Sequence, residues 1–333
     1  MTLSGTLGRT LLAAAALFTA SGANAQVFRA YVSSAGNDAN PCTLTQPCRL
    51  LPAALAAVAD GGEIWMLDSA NYNSAQVDIT KSVTILAVPG ALGSIVATGG
   101  GHGISINAAG VKVALRNLVI VHLTSSQYGV NFVQGAQLHI SGCEISGMQQ
   151  RGVFASAANS TVTIRDSVIR DNVLYGVSAG AGSSAALDRV QLRDNGSYGL
   201  FANGAHVTLS NSVVSGHSYG ITAFGNASQN RVSIEGSVIT GNTNGVYATA
   251  SGASDFSEVT ASRNVFSHNS QAAVQAIQGS GNVTVVVGAN LVAENGVGFS
   301  GQGGATYYSR ETNTMVFNTN DLSGVTLTSL SGQ

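Results

Sequence analysis

Two tripeptides, Arg170-Asp171-Asn172 and Arg193-Asp194-Asn195, repeat one charge pattern 23 residues apart. A carboxylate beside a guanidinium can hold or pass on a proton, and two carboxylates brought together can divide acid and base work. If the tripeptides occupy equivalent places in neighbouring layers of a stacked chain, Asp171 and Asp194 would lie about 5 Å apart, the spacing of adjacent strands. That separation suits a retaining carboxylate pair at a glycosidic bond, or a calcium ion shared between the two. It suits equally a solvated row of turn residues, each Asp offset by its neighbouring Arg. His122, His268 and Glu294 fall in the same column, with Arg170 and Arg193 beside it.

A second column is aromatic. Tyr128, Tyr175, Tyr198 and Tyr219 each precede a glycine, and Arg151 takes the tyrosine's place once. Pointing outward, they would form a strip on which sugar rings stack through their C–H faces. Pointing at one another, they would form a stabilising stack at a corner of the fold. Arg151 would then contact an acidic sugar or stack on Tyr128 or Tyr175. His102, His139 and His206 do not cluster in sequence with acidic partners, so they form no metal set.

Both columns depend on a repeat. The X-Gly steps at Gly129, Gly152, Gly176, Gly199, Gly220 and Gly245 are separated by 23, 24, 23, 21 and 25 residues. A period in this range indicates a stacked array. Within one period, Gly152-Val153-Phe154, Thr161-Val162-Thr163-Ile164 and Ser167-Val168-Ile169 read as three short strands with turn residues between them. One such unit cannot bury its apolar face alone, whereas units stacked in register can. Parallel strands joined by crossovers coil right-handedly. Asn172, Asn195, Asn242, Asn269 and Asn295 recur three residues after the third strand's last apolar position, with Met148 and His217 taking that place once each. They predict an internal asparagine ladder, in which Asn supplies a left-handed turn residue and an amide that bonds its neighbours above and below.

The ends of the chain differ from this middle. Arg9, the apolar run Leu11 to Phe18 and Ala23-Asn24-Ala25 read as an export signal over residues 1–25. The run is too short to span a bilayer, and no later segment is apolar enough for a membrane span. Residues 26–62 read as an N-terminal cap. There, Leu50, Leu51, Ala54, Leu55 and Val58 predict a short helix stopped by Asp60-Gly61-Gly62, which would cover the open sheet end. Cys42 and Cys48 close a short loop that an oxidising compartment would lock as a disulfide, worth roughly 2–3 kcal/mol. Cys143 lies on an apolar strand pattern and reads as a buried, inert thiol. The coils occupy 63–297, and residues 298–333 read as strands closing the far end.

Of the 333 residues, 41 are glycine, 4 are proline and 9% are charged, which excludes collagen and disorder. The formal charge of −2 supplies no basic field for nucleic acid.

The Asn-x-x-(x)-Tyr-Gly turns, the capping helix and the strands that follow it resemble the right-handed parallel β-helix proteins of the pectin lyase-like superfamily. The matching residues include Gly62-Glu63-Ile64-Trp65-Met66 and Ile79-Thr80-Lys81-Ser82-Val83-Thr84-Ile85, and the likeness covers roughly residues 45–300. It implies an all-β, single-stranded right-handed parallel solenoid, and an exported or periplasmic monomer acting on polysaccharide. Lyases of this kind hold calcium on acidic residues and use Arg or Lys as base, whereas the hydrolases use paired Asp. Asp171, Asp194, Arg170 and Arg193 are the positions here that could take those parts. The marked strings of the polygalacturonases and alginate epimerases are absent, as is the glycine-rich calcium nonapeptide, so no cofactor is specified. Two expectations follow: a polysaccharide-binding or cleaving protein using the outer face of coils 128–220, or a non-catalytic adhesin-like scaffold.

Overall fold

The computed structural model describes residues 26–330 apart from 74, 124, 227, 228 and 311; the export signal expected at 1–25 lies outside the described residues. The chain is a parallel β-solenoid with a single short helix among the described residues. Each coil visits three sheets in turn. The first sheet has 13 strands and the other two have 11 each. One coil runs from Thr161–Arg165 in the first sheet, through Val168–Arg170 in the second, to Tyr175–Ala179 in the third. Every rung pairs in parallel with the next, as Thr161 with Ser184, Val168 with Gln191 and Tyr175 with Tyr198.

Alternation along each strand decides what faces inward. Val162 and Ile164, then Ile169, then Val177 and Ala179 are buried, and their counterparts one coil on are Ala185 and Leu187, Leu192, Leu200 and Ala202. These columns form one continuous apolar core along the axis.

The N-terminal end departs from the sequence expectation in one respect. The helix α1 (Leu51–Ala57) ends before Val58, and Asp60-Gly61-Gly62, read as its stop, lies within strand β2 (Val58–Met66). The physical reason is a strand that the sequence reading did not recognise, β1 (Val27–Val32). It pairs with β2, Val27 opposite Val58, and draws that segment into the first sheet. α1 still buries Leu51, Ala54 and Leu55 against the end of the core. Cys42 and Cys48 form a disulfide beside it, with Cα atoms 4.6 Å apart. Cys143 is buried, and burial pushes its thiol pKa up to about 11, which keeps it protonated and unreactive.

The asparagine ladder is a chain of buried amides. Asn172 donates to Asn195 (2.7 Å), Asn242 to Asn269 (3.1 Å), Asn269 to Asn295 (2.9 Å) and Asn295 to Asn318 (3.0 Å). His217 completes the column, its ring bridging Asn195 and Asn242 at 3.1 and 3.0 Å. A second ladder, one turn earlier in each coil, passes from Ser212 through Ser237, Asn264 and Asn290 to Asn313. The left-handed residue is not the Asn, as the sequence suggested, but the one before it: Asp171, Asp194, His268 and Glu294 have φ of 55°, 51°, 54° and 58°. The Asn must turn its side chain inward to reach its neighbours, so the reversal of direction falls on the preceding residue.

Candidate functional site

The carboxylate column therefore sits on the left-handed turn between the second and third sheets. Asp171 and Asp194 are both exposed there, one coil apart. Their side chains have different partners. Asp171 is bonded to the guanidinium of Arg170, which also reaches Glu144 Oε1 at 2.5 Å. The hydrogen bonds that Arg170 donates to Glu144 and then to Asp171 hold its pKa above the ordinary value. Asp194 instead leans over the next turn. It lies over Gly216, whose φ of 80° favours glycine, with Oδ1 2.1 Å from where a Cβ would stand. Arg193 is exposed beside it. Further along, His268 Nε2 lies 2.6 Å from Glu294 Oε2. His122 lies over Gly147, on the same corner.

This is an outer corner with exposed ion pairs, where solvent screens each charge. Among the described residues no three His, Cys, Asp or Glu side chains converge where they could hold a metal ion. Calcium takes about six to eight oxygens, and no third acidic side chain joins Asp171 and Asp194 among the described residues to make such a set.

The tyrosine column lies on the outer face of the third sheet, at the first position of each strand. Tyr175 stacks on Tyr198 at 4.9 Å and Tyr198 on Tyr219 at 5.3 Å, with planes within 16°. Arg151 lies between Tyr128 and Tyr175, 5.4 and 4.7 Å from their ring centres, and 4.4 Å from that of Phe154. His102 continues the stack beyond Tyr128 at 4.7 Å and 2°. The tyrosine faces are therefore covered by one another, and their edges are turned to the surroundings.

Sequence reasoning missed the second file of rings. Phe154, Phe201 and Tyr247 share the fourth position of their strands, and Phe224 follows two residues further along. Phe201 stands edge-on to Tyr175 and Tyr198, at interplanar angles of 69° and 63°. The signal was present as Gly-Val-Phe and Gly-Leu-Phe after the X-Gly step, but Asn131, Ser178 and Thr222 interrupt the column. Those small polar side chains are buried under the rings, and Asn131 Oδ1, Thr222 Oγ1 and Arg151 Nε have no hydrogen-bond partner. Burial pushes the Tyr198 hydroxyl pKa up, so it stays protonated as a donor at neutral pH.

The profile of the right handed beta helix region matches residues 80–233 and, overlapping, 162–320. Among solved structures, the chain is similar to pectate lyase Pel9A, with a TM-score of 0.54 and 14% identity over 88% of this chain and 78% of that one. It is similar to the A-module of the Azotobacter vinelandii mannuronan C-5 epimerase AlgE6, with a TM-score of 0.60 and 15% identity over 85% and 95%. The Dettilon tailspike protein gives 0.50 and 12% over 86% and 68%. At such identities the likeness is one of fold. No curated protein matches the sequence.

Proposed function

The chain belongs to the right-handed beta helix family, and from that premise we propose that it is an exported protein that binds a polysaccharide along the outer face of coils 128–220. One observation carries this reading. Tyr128, Phe154, Tyr175, Tyr198, Phe201, Tyr219, Phe224 and Tyr247 all lie half-buried on one face outside the core. An aromatic surface of this length, broken only by Arg151, is what a ligand face requires. The covered tyrosine faces, and the Arg151 guanidinium over Phe154, leave the Phe201 ring and the tyrosine edges to meet a sugar. The pectate lyase, the mannuronan epimerase and the tailspike share only the fold with this chain, and they support the reading in general terms.

A scaffold without a ligand is the second reading, favoured by the close packing of the tyrosines on one another. Binding of purified protein to a panel of neutral and acidic glycans separates the two. Phe201→Ala is expected to weaken binding about tenfold, the loss of one aromatic contact of about 1.4 kcal/mol. No binding across the panel, or a Phe201→Ala variant that binds as tightly as the parent, would overturn the glycan reading.

The corner carboxylates are expected to contribute little to that binding. Asp171→Ala and Asp194→Ala should each leave the affinity unchanged within about fivefold, since exposed ion pairs are worth roughly 0–1 kcal/mol. Release of unsaturated or reducing sugar from the panel, abolished by either substitution, would instead make the corner a catalytic site and Asp171 and Asp194 its acid and base.

A further inference from the structure

On the outer face of the first sheet, Lys112, Arg116 and Arg165 surround His139. None of the three has a carboxylate within ion-pair distance among the described residues, and unlike Lys81 and Arg49, which donate to backbone carbonyls, they lie together on one face. The register explains how residues far apart in sequence meet. Gln137 lies over Lys112, His139 over Ala114 and Ser141 over Arg116, and Arg165 lies over Ser141 on the next rung. Arg116 and Arg165 thus share a column two rungs apart, about 10 Å by strand spacing. Lys112 stands on the same face at the other end of the Arg116 strand, about 13 Å along it.

The nearest acidic groups, Asp166 and Asp188, feel the charge of Arg165, but each forms its ion pair with Arg189. Asp188, one rung beyond Arg165, is paired with Arg189, and Asp60 accepts the Ser82 N–H at 2.7 Å. Like charges close together on one face of a sheet oppose each other. The whole chain carries a formal charge of −2, so this positive concentration is local.

The same place is concave. Lys112, Arg116 and His139 bound a depression of about 440 Å³, together with Ser82, Thr84 and Gln137. Its floor is Ala114. The face continues into a second hollow of about 370 Å³, where Ser184, His206, Thr208 and Ser233 supply more polar groups. Burial, with help from Arg116 and Arg165, lowers the His139 pKa, so its ring is neutral at pH 7 and can both donate and accept.

We propose that this face binds a sulfated saccharide, with Lys112, Arg116 and Arg165 on its successive tetrahedral oxyanions and His139, Gln137, Ser82 and Thr84 on the adjoining hydroxyls. Three cations exceed what a single carboxylate can balance, and guanidinium forks fit tetrahedral oxyanions in bidentate fashion. The hydroxyl and amide lining, without a large apolar side chain, fits a sugar better than a lipid headgroup. The site lies on a different sheet from the aromatic face, so either can fail without the other.

Calorimetric titration of the protein tests it, using a heparin-derived tetrasaccharide, inorganic sulfate, trigalacturonate, maltotetraose and anionic phospholipid vesicles as separate probes. The sulfated tetrasaccharide is expected to bind, with affinity falling as salt rises. The Arg116→Ala/Arg165→Ala double variant, altered only at exposed positions, should bind it at least tenfold more weakly, while Phe201→Ala leaves it unchanged. Failure of the tetrasaccharide to bind, or equal binding by the double variant, would overturn the site. Equal affinity for inorganic sulfate would remove the sugar from the proposal, equal affinity for trigalacturonate would replace the sulfate by a carboxylate, equal affinity for maltotetraose would remove the oxyanion, and binding to vesicles alone would replace the saccharide by a membrane.

Discussion

Gly199→Ala is expected to lower the unfolding free energy by about 3 kcal/mol, at the upper end for overpacking at one site. A Cβ there would lie 2.6 Å from the Gly220 carbonyl oxygen, 2.9 Å from His217 Cε1 and 3.0 Å from Val214 Cγ1. The oxygen belongs to the backbone of the next coil, which the pairing of Tyr198 with Tyr219 holds in place. It cannot retreat without lifting that coil. The same approach recurs at Gly176, Gly220 and Gly245, where the next coil's carbonyl oxygen would be 2.6, 2.6 and 2.5 Å away. The glycine column therefore exists to let successive coils close on each other, and none of its members needs a left-handed backbone. Gly241 offers the control, because it has φ of 65° and nothing within 4 Å of an added Cβ. Gly241→Asn should cost less than about 1 kcal/mol, since Asn visits that conformation readily. Urea unfolding of both variants checks the pair. A Gly199→Ala cost no greater than that of Gly241→Asn would mean that close approach does not set the spacing.

This distinction also shows what the sequence could disclose. The period and the inward alternation are local and repeat in each coil, so Tyr175-Gly176-Val177 and Tyr198-Gly199-Leu200 state the fold directly. The asparagine column was legible for the same reason, although its left-handed partner was assigned to the wrong residue. A polar residue before each Asn looks like any turn residue until φ is known. The partnership of Arg170 with Glu144 was not legible, because it spans 26 residues and has no counterpart in the next coil. The cluster around His139 was hidden more completely. Lys112, His139 and the Arg116–Arg165 pair stand at three different strand positions on Lys112–Arg116, Gln137–Ser141 and Thr161–Arg165, and Ser141 breaks the one column two of them share. Repetition writes the scaffold into the sequence, whereas a site built from exceptions to the repeat becomes visible only when the rungs are stacked. The strand β1 escaped notice likewise, since its partner lies beyond α1.

The one histidine in the amide ladder should make the solenoid acid-sensitive over a defined range, and His217→Asn should remove that sensitivity. Asn195 Nδ2 faces His217 Nε2, so the ring must accept there, and its Nδ1–H donates to Asn242 Oδ1. The Asn242 amide fixes this direction, because its own Nδ2 donates to Asn269 Oδ1 and to the Val214 carbonyl. A proton added at Nε2 would set a donor against a donor inside the core. Burial pushes the His217 pKa down to about 4 from 6.5, against weaker upward influences from the bond to Asn242 and the charge of Asp194. In the unfolded chain the ring protonates near 6.5. As pH falls from about 6.5 to about 4, the unfolded chain therefore takes up a proton that the folded one refuses. Stability is complete above that window and declines through it by about 3 kcal/mol; below it both states are protonated and the slope due to this group ends. His102 and His139, also lowered by burial, leave a smaller residual slope in the same range. In His217→Asn the amide can accept from Asn195 and donate to Asn242 as its neighbours do, so stability at pH 7 should be kept. Urea unfolding of parent and variant at pH 7, 5.5 and 4 reads the difference directly. Parallel pH profiles would show that the proton is admitted without disturbing the ladder, and that the column tolerates a charge at its centre.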